Sequence, residues 1–118
     1  MKLRTLSFAL LVAGIGLAVA PAAAPKPTAT QATTVLVTAK EFKFVLSKRS
    51  VAKGAVVFKV TNKGKLPHDF KISGKKTPLI KPGKTATLRV TLTKGAKAYL
   101  CTVAGHAPAG MKGSLRVT

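Results

Sequence analysis

Apolar and polar residues alternate along much of this chain, and the alternation predicts β-strands. It is clearest at residues 85–92 (TATLRVTL), where every second side chain is apolar, as expected for a strand with one buried face. Turn sequences rich in glycine and proline separate the runs, and no segment has a convincing helical period. Similar short runs predict further strands at residues 35–37, 42–46, 56–60, 68–72, 96–101 and 111–117.

The spacing of these strands favours one fold class. About seven to eight short strands follow one another closely, and the dipeptide Lys94-Gly95 joins two of them with a hairpin signal. Short strands at this density are typical of an antiparallel sandwich with Greek-key connections. We therefore predict an all-β fold, an antiparallel Greek-key β-sandwich, without an internal repeat.

The first 22 residues have the features of a secretory signal peptide. A positive start (MKLR) is followed by residues 5–20, which are apolar or small and carry no charge. Cleavage after Ala22 places alanine at both small-residue positions and avoids a proline at the start of the mature chain. The alternative is an uncleaved membrane anchor, for which the run is shorter than the usual length of about 20 residues. We expect export to the periplasm, the extracellular space or the cell surface.

Composition separates a leader from the domain that follows it. Residues 23–32 (AAPKPTATQA) are rich in Pro, Ala and Thr, which is typical of a flexible linker. The strand pattern begins after this segment, so we predict one domain over residues 33–118. A domain of this length can form only a modest core, which again favours a sandwich.

The charge of the chain is extreme, with 21 Lys and Arg, two acidic residues and a net charge of +19. Loss of Lys2 and Arg4 with the signal peptide leaves +17. Such a net charge indicates which molecules the protein attracts and says nothing about its fold. Acidic proteins and an anionic membrane surface are the expected partners on this ground. Nucleic-acid binding normally places aromatic side chains among the basic ones, whereas the aromatic residues here fall mostly on strand faces predicted to point inward. Nucleic acid is therefore not an expected partner, and a metal-free cationic module is kept as an alternative.

One set of residues carries candidate chemistry. Cys101, His106 and Met111 follow a C-x4-H-x4-M pattern on the loop between the last two strands, and His68 lies upstream where a turn leads into a strand. Each residue alone has an ordinary explanation, such as a buried cysteine or a methionine that fills the core. Apart from Met1, however, every Cys, His and Met of the chain belongs to this set. Two imidazoles, a thiolate and a weak thioether suit copper in both of its oxidation states.

These motifs resemble the cupredoxin family, the blue-copper proteins that include plastocyanin and azurin. The spacing of the last three residues is most similar to auracyanin and rusticyanin, while Pro67-His68 resembles plastocyanin. The resemblance implies one type 1 copper, Cu(I) or Cu(II), in a single-electron carrier that is not an enzyme. It further implies that His68 and His106 bind through ring nitrogens, Cys101 through a short thiolate bond, and Met111 as a long axial ligand.

One position departs from the family pattern. The residue after the first histidine is usually Asn, and here it is Asp69, with Thr102 opposite. We expect Asp69 to accept a hydrogen bond from Thr102 and so to support the ligands from outside, and a carboxylate so near would favour Cu(II). The alternative is that Asp69 is an exposed partner of Lys65 or Lys71.

The resemblance also implies a surface for partners. The ring edge of His106 would reach the surface within a small apolar docking patch formed by Leu66, Ala104, Ala107, Pro108 and Ala109. We expect a monomer that meets acidic redox proteins, with Lys65 and Lys112 guiding their approach. The main alternative is a copper-storage or copper-delivery protein of the same fold, although such carriers tend to expose several Met and His.

Overall fold

The computed structural model describes residues 31–118, together with Gly14 and Gly16. Apart from these two glycines, the predicted signal peptide over residues 1–22 lies outside the described residues. The predicted leader over residues 23–32 also lies outside them, except for its last two residues. Within the described part of the chain, no helix has the length and apolar character needed to cross a membrane.

The described chain forms nine strands and one short helix. Most of the strands coincide with the alternating runs of the sequence, because each run buries one face and exposes the other. The elements in chain order are β1 (Thr33–Lys40), β2 (Lys43–Leu46), β3 (Ser50–Val51), β4 (Gly54–Asn62), β5 (Lys71–Ile72), β6 (Lys75–Lys76), β7 (Thr85–Leu92), β8 (Gly95–Leu100), α1 (His106–Ala109) and β9 (Lys112–Val117).

The strands form two sheets, which confirms the predicted all-β sandwich. One sheet has the order β2-β1-β4-β7 and the other the order β3-β9-β8-β5-β6. Most neighbouring strands are antiparallel, but β1 pairs with β4 and β3 with β9 in parallel. These two parallel pairs are a difference from the predicted antiparallel sandwich. The pairing of β1 with β4 arises because the chain between these strands crosses from the first sheet to the second and back, since β3 belongs to the second sheet.

Two local differences from the sequence prediction concern the segments that carry the predicted ligands. Only Lys71–Ile72 of the run 68–72 form a strand, while His68 pairs with Ile80 in an isolated bridge. The helical turn α1 was not predicted. Its flanking glycines, Gly105 and Gly110, have φ values of 83° and 127°, a conformation that glycine adopts without steric cost. A single helical turn is too short to produce a helical period in the sequence.

Aromatic rings between the sheets connect the core to the segment that begins at His68. Phe70 is fully buried, and its ring centroid lies 5.1 Å from that of Phe58, 5.3 Å from that of Phe44 and 5.5 Å from that of Tyr99. Aromatic pairs at these separations add to the stabilisation that burial provides. Because Phe70 comes two residues after His68, this aromatic cluster fixes the start of the segment that carries a predicted ligand.

We expect Phe58→Ala to lower the free energy of unfolding by about 3–5 kcal/mol, because it removes a fully buried ring and leaves a cavity. Denaturant titration measures the change. Leu36→Ala is the control, since Leu36 is 56% exposed and surface substitutions usually change stability by less than about 0.5 kcal/mol. Equal losses in the two variants would contradict this view of the core.

Candidate metal centre

Three of the four predicted ligands meet at one end of the sandwich. His68 is held by paired backbone hydrogen bonds with Ile80, its N–H donating at 3.1 Å and its carbonyl accepting at 2.7 Å. Cys101 follows β8 directly, and His106 is the first residue of α1. All three side chains are buried. The sandwich therefore presents them from fixed backbone on two separate segments.

The donor atoms of these residues converge on a common point. The Nδ1 atoms of His68 and His106 are 3.1 Å apart, the Sγ of Cys101 is 3.6 Å from Nδ1 of His106, and the three donor atoms lie within 4.8 Å of one another. Two nitrogens at this separation can share one ion, because metal–imidazole bonds are about 2.0–2.1 Å long in zinc sites. Two imidazoles with one thiolate are the donor set of blue-copper sites, so the residues fit copper.

Met111, the fourth predicted ligand, lies at the base of the same loop. Its carbonyl accepts a hydrogen bond from the N–H of Cys101 at 3.0 Å, and its N–H donates to the carbonyl of His106 at 3.1 Å. The Met111 side chain is fully buried in the core. The loop from Cys101 to Met111 is thus closed by hydrogen bonds between its own predicted ligands.

Asp69 joins the two ligand segments. Its Oδ1 accepts a hydrogen bond from the N–H of Thr102 at 2.6 Å, and its Oδ2 accepts one from the Thr102 hydroxyl. Asp69 is 5% exposed, and its oxygens face Thr102 rather than Lys65 or Lys71. The residue after His68 is therefore tied to the residue after Cys101. Pro67, which precedes His68, is half-buried.

Glu41 contacts the centre from a third segment, which no motif of the sequence indicated. It lies in the turn between β1 and β2, and its Oε1 accepts hydrogen bonds of 2.6 Å from the N–H groups of Lys65 and Leu66. The same oxygen is 3.3 Å from Nε2 of His68. The N–H of Leu66 is the main cause that lowers the pKa of Glu41 from 4.5 to about 2. The only sequence signal for this residue is that the chain has two acidic residues in all.

The protonation of the metal-free centre follows from these contacts. Burial lowers the pKa of His68, although Glu41 opposes the shift, so the ring carries one proton at neutral pH. The carboxylate of Glu41 holds that proton on Nε2, which leaves a lone pair on Nδ1. Burial also raises the pKa of Cys101, so metal binding must release the thiol proton.

The surface over the centre is largely apolar. His106 is 7% exposed and is the nearer of the two histidines to solvent. Phe42 and the His106 ring form a T-shaped contact, with centroids 5.1 Å apart and planes at 72°. Phe42 was not predicted as part of this surface. In the predicted docking patch, Ala107 is half-buried, and the other four residues are exposed: Leu66, Ala104, Pro108 and Ala109. Lys65 and Lys112 are exposed as well.

Comparisons with known proteins agree with this architecture. A family model described as a cupredoxin-like domain matches residues 8–115, while no curated protein matches the chain. Auracyanin from the photosynthetic bacterium Roseiflexus castenholzii, in its dithionite-reduced form, is 18% identical over 74% of this chain and 98% of its own, with a TM-score of 0.63. Auracyanin B is 22% identical over 75% and 91%, with a TM-score of 0.63. An azurin from the obligate methylotroph Methylomonas sp. strain J is 17% identical over 75% and 99%, with a TM-score of 0.59.

The lowered pKa of Glu41 predicts an acid-dependent loss of stability in the metal-free protein. Because the folded-state pKa is about 2 and the ordinary value is 4.5, the stabilisation by Glu41 is complete above pH 4.5 and disappears as the pH falls towards 2. Thermal unfolding between pH 6 and pH 2 should therefore show a shallower decline for Glu41→Gln than for the wild type. Parallel pH profiles would contradict the assignment of these hydrogen bonds, since all other titrating groups are common to both proteins.

Proposed function

Because this chain belongs to the cupredoxin family, we propose that it carries single electrons between redox partners outside the cytoplasm. The fold and the grouping of His68, Cys101 and His106 support a type 1 copper site. Copper bound there supplies a one-electron couple between Cu(II) and Cu(I). The proposed location follows from the signal-peptide pattern of residues 1–22.

The observation that carries the proposal is the buried convergence of the three donor atoms. His68 and His106 would hold the metal through Nδ1, Cys101 through its thiolate, and Met111 through its thioether sulfur. Each of these residues is fixed by hydrogen bonds of its backbone or its ring. A site built on such fixed residues needs little rearrangement when an electron arrives or leaves, which suits a carrier.

Burial of the ligands also bears on the alternative functions. Cupredoxins are generally electron carriers rather than enzymes, and the three donor side chains are buried. A storage or delivery protein of the same fold would expose ligands for metal exchange, whereas His68, Cys101 and Met111 are each at most 1% exposed. The electron carrier is therefore the favoured function. A metal-free cationic module would not explain why the three donor atoms converge.

We expect the protein to bind one copper per chain and to become blue when oxidised. Cys101→Ser should abolish the intense visible absorption while leaving a cooperatively unfolding domain, because the thiolate is the source of that absorption. The control is the double variant Cys101→Ser with Ser114→Cys, which keeps one thiol but places it on the exposed side of β9 and should stay colourless. A colourless wild type with one bound equivalent of copper would refute the proposed function.

We further propose that the partner is an acidic redox protein that docks over His106. The predicted docking patch, extended by Phe42, would form an apolar contact where the centre comes nearest to solvent. Lys65 and Lys112 are exposed and close in sequence to this surface, so they would guide the partner. A mature net charge of about +17 would attract an acidic protein from a distance, and such steering raises association rates by about 10–1,000-fold.

The rate of electron transfer to an acidic partner should fall at least about tenfold as ionic strength rises from 0.01 to 0.5 M, because the screening length shrinks from about 30 Å to below 10 Å. Stopped-flow kinetics measure this rate. Lys65→Glu or Lys112→Glu should flatten the dependence. Lys59→Glu is the control, since it changes the net charge equally from the outer face of β4. Rates that do not change with salt would contradict the steering.

A further inference from the structure

Both acidic side chains of the chain contact residues of the metal centre or their direct neighbours, although the sequence has 21 basic residues and only two acidic ones. Asp69 binds the residue after Cys101, and Glu41 contacts the ring of His68 from a turn 27 positions earlier in the sequence. We propose that Glu41 is a positioning residue of the copper centre, which orients His68 through Nε2 and lowers the reduction potential through its negative charge. The inference rests on the proposed copper function.

The orientation of His68 follows from the way its two nitrogens are used. Its Nδ1 faces His106 at 3.1 Å, and its Nε2 lies 3.3 Å from Oε1 of Glu41. Histidine ligands commonly donate the other ring N–H to a carboxylate or carbonyl, which fixes the tautomer and the plane of the ring. Because Glu41 fixes the proton on Nε2, the lone pair of Nδ1 points towards the other two donors before any metal binds.

The carboxylate of Glu41 is itself held in a recess that only glycine provides. A Cβ atom at position 64 would lie 2.6 Å from both carboxylate oxygens. The wall of the recess is fixed by Asn62, a fully buried side chain that donates to the carbonyls of Leu66 and Ile80 at 2.8 Å each and accepts from the N–H of Gly64 at 2.8 Å. The fixed backbone around it therefore determines the position of the Glu41 carboxylate.

The charge of Glu41 acts on the equilibrium between the two oxidation states. Reduction adds one electron and lowers the charge of the centre by one, while Glu41 stays negative in both states. The oxidised centre is therefore stabilised more than the reduced one, and the remote lysines oppose this effect only weakly because solvent and salt screen them. At a distance of about one imidazole ring, a unit charge near a protein surface changes such an equilibrium by about tenfold or more.

Glu41→Gln removes the charge but keeps the shape, and its amide oxygen can still accept the hydrogen bonds from Lys65 and Leu66. We expect this variant to bind copper, to remain blue and to favour the reduced state by about tenfold. For a one-electron couple, a tenfold change corresponds to a rise of about 59 mV in the reduction potential. Redox titration followed by visible absorption measures the shift.

Gly64→Ala tests the recess without changing any charge. Its Cβ must displace the Glu41 carboxylate from His68, and the backbone of Gly64 is not among the left-handed conformations that only glycine adopts easily. The potential should rise as in Glu41→Gln. Thr91→Lys is the matched control, because it adds one positive charge on the exposed face of β7 and should leave the potential unchanged. An unchanged potential in both Glu41→Gln and Gly64→Ala, or an equal rise in Thr91→Lys, would overturn the electrostatic role.

A second measurement on the metal-free protein separates this inference from the proposed function. Nitrogen-15 NMR of the His68 ring should show the proton on Nε2 in the wild type and a mixture of tautomers in Gly64→Ala. A proton on Nδ1 in the wild type, or the same single tautomer in both proteins, would overturn the positioning role. Neither NMR result depends on copper. A wild type that fails to become blue would therefore refute the proposed electron-carrier function, while the NMR measurement would still test the contact between Glu41 and His68.

Discussion

The metal centre depends on two carboxylates, each of which accepts hydrogen bonds from the backbone of a different segment. Asp69 binds the N–H of Thr102 and so ties the His68 segment to the Cys101 loop. Glu41 binds the N–H groups of Lys65 and Leu66 and so ties the same segment to the turn between β1 and β2. Hydrogen bonds to ionised groups are shorter and stronger than neutral ones. Three segments that are distant in sequence are thereby held at one end of the sandwich.

The same arrangement separates two electrostatic effects that work at different distances. Almost all the basic residues in the described part of the chain lie at exposed positions, where they would act on an approaching partner and are screened by salt. The two carboxylates are the only negative side chains, and they lie beside the ligands. Their short distance to the centre makes their effect on it larger than that of the more numerous but remote basic residues. The overall charge can therefore favour acidic partners while the immediate surroundings of the metal remain negative.

Much of the fold could be predicted from the sequence, and the reasons for success and failure are physical. The alternation in β7 identifies a strand because burial of one face repeats every two residues, and the family resemblance carried by the C-x4-H-x4-M spacing is confirmed. The parallel pairing of β1 with β4 could not be predicted, because alternation does not encode the direction of a neighbour. Glu41 was missed because its partners follow it by 24 to 27 positions, and a carboxylate in a turn has by itself no pattern that indicates a contact with a ligand.

The turn between β1 and β2 also connects the metal centre with the surface above it. Glu41 contacts His68, and the next residue, Phe42, packs against His106, so one turn touches both imidazole rings. A Cβ at position 110 would lie 2.8 Å from the carbonyl oxygen of Phe42, which shows how closely the ligand loop approaches this turn. Because Phe42 is 39% exposed, a partner that docks over His106 would also press on the turn that holds Glu41. The proposed docking surface and the proposed positioning carboxylate would therefore be linked through the same two-residue turn.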